Sequence, residues 1–148
     1  FDAVTMFHLI EHVPDPRALL AECRRVLAPG GRLVVATPNV RSRGHARFGA
    51  AWLELDPPRH LHLFPPETLR REAERAGFRT ASLGTTLRNA EVTFAGSLSI
   101  RRTGRFDIQA PLPKGRRLRT LAWLYASWIA GAFRRDADEE TLLVASRE

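Results

Sequence analysis

Cysteine, methionine and tyrosine each occur once in these 148 residues, and Lys114 is the only lysine among 23 basic residues. A single cysteine excludes an internal disulfide and any multi-cysteine metal site, which fits a reducing, cytoplasmic compartment. Cys23 falls on the apolar stripe of a predicted helix, away from any helix N-terminus that would lower its pKa, and reads as a core residue. There is no basic n-region and no cleavage-site pattern of a secretory leader. The longest apolar stretch, within residues 116–135, falls short of the about 20 apolar residues a spanning helix needs. No aromatic-interleaved basic motif occurs, so the formal charge of +7, spread along the chain as arginine, reads as a solvated surface and no nucleic acid partner is expected.

What is present is enough for a core. With 44% hydrophobic and 26% charged residues the chain reads as one globular domain. Phe1–Leu9 is short, apolar and partly β-branched, as a strand covered on both faces would be. Asp15 then offers an N-cap and Pro16 a first helical residue. Leu19, Leu20, Cys23, Val26 and Leu27 form one helical stripe that Pro29-Gly30-Gly31 ends. Arg32–Thr37 is a second buried strand. Strand, helix, tight turn, strand is a βαβ unit whose two strands are parallel neighbours, so the fold class is α/β. Residues 40–65 read as irregular, followed by a helix over Pro66–Ala76 with Gly77 at its left-handed end, and a strand over Phe78–Gly84. A short helix is predicted over Glu91–Arg101 and a linker over Arg102–Gly115. An apolar helix over Arg116–Arg135, bracketed by arginine pairs, packs on the domain or lies in a membrane interface. Thr141–Ser146 is a last strand.

Several segments in this order resemble a known family: Phe1-Asp-Ala-Val-Thr-Met-Phe-His-Leu-Ile-Glu-His-Val-Pro-Asp-Pro16, Leu27-Ala-Pro-Gly-Gly31, Leu33-Val-Val-Ala-Thr-Pro-Asn39, Arg59-His-Leu-His-Leu-Phe64 and Ala76-Gly-Phe78. They are similar to the second half of class I S-adenosylmethionine-dependent methyltransferases of the ubiquinone-biosynthesis-like group. The resemblance implies part of a Rossmann-like seven-stranded sheet of order 3-2-1-4-5-7-6. Phe1–Leu9 would be strand 4, Arg32–Thr37 strand 5, Arg79–Gly84 strand 6 and Thr141–Ser146 the antiparallel strand 7. Residues 1–84 would be the family-like core, 85–138 a variable helical insert and 139–148 the last strand. The family's glycine-rich cofactor turn and its ribose-binding acid have no counterpart here, since no G-x-G pattern occurs. The expectation is therefore a C-terminal portion without the N-terminal strands, inactive by itself and prone to associate through its bare strand edge.

His8-Leu-Ile-Glu11-His12 matches the H-x-x-E-H zinc signature in letters only, because that chemistry needs one continuous helix and Val13-Pro14-Asp15-Pro16 cuts it short. No metal is assigned, although some relatives resembling this chain use acidic and histidine residues here for a divalent ion. Ligands of open α/β sheets sit beyond the carboxyl ends of the strands, which points Phe7, His8, Leu9 and Asn39 at one crevice. By the resemblance, Phe7, His8 and Leu9 would run along S-adenosylmethionine near its sulfonium. His8 is a candidate base on an acceptor hydroxyl, or packs beside the cofactor. Asp56-Pro-Pro-Arg59-His60 is a flap or a local turn; as a flap it would set Arg59 on an anionic group and His60 as a second base. Asn39 and Arg59 are thus the candidate substrate residues, the acceptor being a small molecule. The reaction expected is methyl transfer driven mostly by alignment. A non-catalytic interaction or membrane-interface module using the 116–135 helix, and a nucleotide-dependent enzyme of another α/β family, stay open.

Overall fold

A computed structural model describes residues 1–106, 115–131 and 136–148. Among these residues lie four strands and five α-helices: β1 (Ala3–Phe7), α1 (Pro16–Val26), β2 (Arg32–Pro38), α2 (Arg43–Phe48), α3 (Pro66–Arg75), β3 (Phe78–Thr86), α4 (Ala90–Thr103), α5 (Arg116–Gly131) and β4 (Glu140–Arg147). The strand order is β1-β2-β4-β3. β1 and β2 are parallel, and β4 runs antiparallel to both β2 and β3. This is the 4-5-7-6 portion of the expected sheet.

Local chemistry explains the helix around which this half is built. The Asp15 carboxylate accepts from the amides of Arg17 and Ala18, both at 3.0 Å, and Pro16 starts α1 where its missing N–H costs nothing. Gly77 follows α3 at φ 85, a conformation that side chains resist, and its carbonyl accepts from Arg24 Nε at 3.1 Å. α1 and α3 thereby cover the face of the sheet that carries Met6, Leu33, Val35, Leu143 and Ala145, with Leu20, Leu27 and Leu69 fully buried between. Each such leucine contributes roughly 1.5–3 kcal/mol. On the opposite face Thr5, Phe7 and Leu142 are exposed.

Several expectations need correction. The first strand ends at Phe7, because His8 takes φ 49 and turns the chain into a 3-10 turn over Ile10–His12. It is covered on one face, and its Ala3, Thr5 and Phe7 are exposed. Residues 40–65 are not irregular throughout: Ser42 caps α2 by accepting from the His45 amide at 3.0 Å, and 3-10 turns follow at Gly49–Ala51 and Leu53–Leu55. α4 is longer than predicted and ends at Gly104, φ 77. Phe48 and Trp52 from the first segment bury against Phe94 and Leu98 of α4, giving a second small core that makes the two segments one cap over the carboxyl ends of β1 and β2. Residues 107–114 of the predicted linker and 132–135 of the predicted last helix lie outside the described residues.

Candidate functional site

Strand register places the first group of the site. Phe7 pairs with Ala36 on β2, and the next amide, His8, still bonds the Ala36 carbonyl at 3.0 Å. Pro38, two residues further along β2, pairs with Glu140 at the start of β4. The His8 ring thus leaves β1 facing Glu140, with Nε2 at 2.9 Å from Oε1. Its Nδ1 lies 3.4 Å from Oε1 of Glu11, which is fully buried and whose Oε2 accepts from Thr37 at 2.8 Å. The bonds to Glu11 and Glu140 raise the His8 pKa to about 10, against the opposing effect of burial. Burial by itself would push Glu11 up, but the partners His8 and Thr37 outweigh it and leave the carboxyl below its ordinary value. His8 is therefore an imidazolium at neutral pH. A group already protonated cannot take a proton, so the base assigned to His8 from the sequence does not fit this geometry.

A cavity of 640 Å³ opens beside this cluster, and His8, His12, Arg59, His60, Ile100 and Phe106 are among the residues that line it. His60 lies within 2.6 Å of the Glu54 carbonyl through Nδ1. A carbonyl only accepts, so Nδ1 carries the proton, and in the neutral ring the lone pair is then on Nε2. His12 is held the same way, Nδ1 at 2.9 Å from the Arg59 carbonyl, and the two rings lie 4.6 Å apart. Glu11, His12 and His60 each offer a ligand atom within 4.8 Å of the others, and Glu11 Oε1 has no hydrogen-bond partner of good geometry. A divalent ion fits that donor set. Arg59 lines the cavity with its guanidinium on Asp56, Nε to Oδ2 at 2.7 Å. Phe7, the last residue of β1, and Leu9, two residues beyond it, are exposed and lie outside the cavity, with Arg88 5.2 Å over the Phe7 ring.

Asn39 is a correction. It is fully buried, its amide donates at 2.9 Å to the carbonyls of both Asp136 and Asp138, and its oxygen accepts from the Arg41 amide at 2.9 Å. Nothing of the side chain is left for a substrate; it ties the end of β2 to the approach of β4.

Two acids were not anticipated. Glu140 serves His8 and also accepts from Asn89 at 2.6 Å. Glu139, buried among the cap residues, accepts from the Gly44 amide at 2.9 Å and the Trp52 indole at 3.2 Å. Burial raises its pKa against those donors. The run Asp136-Ala-Asp-Glu-Glu140 gives only the signal of a charged loop. Trp52, the largest buried side chain near the cavity, would have been the better clue, since a buried indole N–H needs an acceptor.

Comparison with known proteins follows the same boundaries. The model of the family described as "Methyltransferase domain" matches residues 1–83. The ubiquinone biosynthesis O-methyltransferase of Xanthomonas oryzae pv. oryzae is 36% identical over 94 residues, covering 62% of this chain and 35% of that protein. The chain thus spans about a third of the length of this curated relative. Among solved structures, an S-adenosylmethionine-dependent methyltransferase from Thermotoga maritima matches with a TM-score of 0.59 at 18% identity, covering 100% of this chain and 56% of that one. Phosphoethanolamine N-methyltransferase 2 of Haemonchus contortus, solved with S-adenosyl-L-methionine, matches at 0.55 and 16% identity, over 99% of this chain and 33% of that one.

Proposed function

The chain belongs to the methyltransferase domain family, and from that premise we propose that it acts in S-adenosylmethionine-dependent transfer of a methyl group to a hydroxyl of a small-molecule acceptor. The observation that carries this reading is His60: its Nδ1 proton is committed to Glu54, which leaves Nε2 as a proton acceptor in a cavity beyond the carboxyl ends of β1 and β2. The O-methyltransferase relative supports oxygen as the attacking atom.

When bound, S-adenosylmethionine supplies a methyl carbon on a sulfonium, and its sulfur leaves as a thioether. Phe7 and Leu9, exposed and apolar at and just past the end of β1, suit one wall for it. The cluster of one imidazolium and two carboxylates at His8, Glu11 and Glu140 is net negative, the sign that a sulfonium favours. The acceptor hydroxyl, seated among His12, Arg59 and His60, gives its proton to His60 Nε2 as its oxygen bonds the methyl carbon. Ile100 and Phe106 add apolar surface to the same cavity. The glycine-rich turn for the remainder of the cofactor is no part of these 148 residues; in this reading the free edge of β1 is where the other strands of a seven-stranded sheet pair.

The same region has a second reading, favoured by the convergence of one ligand atom each from Glu11, His12 and His60: a divalent cation held by these three would lower the pKa of an acceptor hydroxyl bound to it. It excludes the first, because a coordinated Nε2 accepts no proton. The test is transfer of label from methyl-tritiated S-adenosylmethionine to a catechol by the full-length protein. Labelled ether formed at an undiminished rate in EDTA supports the base. Activity that EDTA abolishes and Mg²⁺ restores supports the cation. A protein that binds the cofactor and methylates no hydroxyl acceptor overturns both.

A further inference from the structure

Two independent features of the cap meet on α5, and the reaction proposed above uses neither. The first is its outward face. Leu118, Leu121, Tyr125, Trp128 and Ile129 recur at i, i+3, i+7, i+10 and i+11, which sets them on one stripe. Leu118 is 78%, Trp128 68% and Tyr125 65% exposed. The other side of the helix carries Thr120 and Ser127, both buried, with hydroxyls that have no hydrogen-bond partner among the described residues. α5 thus turns an apolar stripe outward and, beside the inward Trp123, two unpartnered hydroxyls inward, unlike a surface helix whose packing is complete. At 16 residues it suits lying in an interface, and no described helix is long and apolar enough to cross a membrane.

The second feature is a recess of 310 Å³ between α2, α4 and α5, lined by Arg47, Arg101 and Arg119 with Phe94 and Trp123 as its aromatic floor. Arg47 lies 5.3 Å over the Trp123 ring and Arg101 5.0 Å over Phe48. Among the described residues none of the three arginines has a carboxylate within ion-pair distance, although most other arginines of the cap and α1–α3 do. Aromatic faces hold guanidinium planes in place and leave their charge unneutralised. Arg47 and Arg101, held in this way, and Arg119 line one concavity, and their guanidinium groups match the oxygens of a phosphate. The recess opens beside the stripe: Ala122, on its rim, sits two helical turns before Ile129 and on the same flank of α5.

We infer that α5 docks on an anionic lipid bilayer, its stripe at the boundary between headgroups and acyl chains and Arg47, Arg101 and Arg119 on a lipid phosphate. Charge complementarity selects this occupant. A second copy of the chain would bring more unneutralised arginine to the recess, in a protein of net charge +7, whereas a lipid monolayer offers phosphate and hydrocarbon in the order in which the recess and the stripe present their partners.

The test is flotation of the full chain with vesicles of phosphatidylcholine alone and of phosphatidylcholine mixed with phosphatidylglycerol. Binding is expected to the mixed vesicles only. Each arginine replaced by glutamine should weaken it about five-fold, so that Arg47→Gln, Arg101→Gln and Arg119→Gln together cost about 100-fold. Leu121→Ser with Trp128→Ser should abolish it while leaving the thermal midpoint unchanged, since both side chains are exposed. Mixed vesicles should also shift the tryptophan emission to shorter wavelength, and Trp128→Phe should remove that shift. Four outcomes would overturn the inference: equal binding to neutral vesicles; binding that survives either set of substitutions; saturable binding of inorganic phosphate without vesicle binding; and a dimer abolished by the stripe variant without vesicle binding.

Discussion

The imidazole of His8 and the carboxylate of Glu140 meet at 2.9 Å across 132 residues of sequence, joining the end of the first strand to the start of the last. Glu11 approaches the same ring from the other side at 3.4 Å. The cluster fixes the rim of the cavity and keeps His8 charged, which gives it a measurable signature in stability.

Because the folded His8 pKa is raised from 6.5 to about 10, its contribution is complete below pH 6.5 and is lost as the pH rises toward 10. Discounted for its partial exposure, that contribution is about 1–2 kcal/mol. Urea unfolding of the native chain should therefore show stability declining between pH 6.5 and 10. In His8→Ala the decline over that window should be shallower by this amount, and the variant should be less stable at pH 7 because two carboxylates are left without their cation. A parallel decline in both proteins would refute the ion cluster.

Glu11 has the opposite dependence. Its folded pKa is lowered, so its contribution is present at neutral pH and is lost as the pH falls through the folded value. Glu11→Gln should flatten the acid limb of the stability profile and shrink the alkaline limb, because His8 then keeps Glu140 as its one carboxylate partner.

His60→Ala should lower kcat by about 10²–10⁴, the range of a general base, with little change in the dissociation constant for S-adenosylmethionine. Equilibrium dialysis alongside initial rates separates the two. Equal losses in affinity and turnover would place His60 in the cavity wall without a chemical role.

Asn39→Ala should destabilise the fold by about 2–4 kcal/mol, since it strands two backbone carbonyls and an amide inside the protein. Asn39→Asp should fall in the same range, because a carboxylate cannot donate to the carbonyls of Asp136 and Asp138. Wild-type denaturation midpoints together with a raised KM would instead restore Asn39 to the substrate.

Gly44→Ala tests the anchor of the cap. A Cβ there would come 2.3 Å from an oxygen of Glu139, which also holds the Trp52 indole. The expected cost is about 1–3 kcal/mol, with tryptophan emission moved to longer wavelength as Trp52 loosens. Unchanged emission and stability would show that Glu139 does not hold the cap.

The βαβ unit, the parallel pairing of the first two strands, the capping of α1 by Asp15 and the left-handed Gly77 were all legible, because each rests on residues close in sequence whose periodicity or turn chemistry is local. The rule that such sheets bind ligands at strand ends pointed Phe7, His8, Leu9 and Asn39 at one crevice, and of these His8 lines the cavity, which His60 reaches from the segment read as a flap or local turn. The charge state of His8 was not. It depends on Glu140, and whether an acid in a charged run is buried cannot be read from its neighbours.

The sequence by itself determined the α/β class, the strand and helix spans near the family-like half, and which side chains could do chemistry. Tertiary structure decided what each of them does. β4 slots antiparallel between β2 and β3, which brings Glu139 and Glu140 under the cap, converts a candidate base into an ion-paired cation and fills the bonds of Asn39. The physical reason is range: backbone propensities act over a few residues, whereas burial and charge pairing are set by whatever part of the chain the sheet order places alongside.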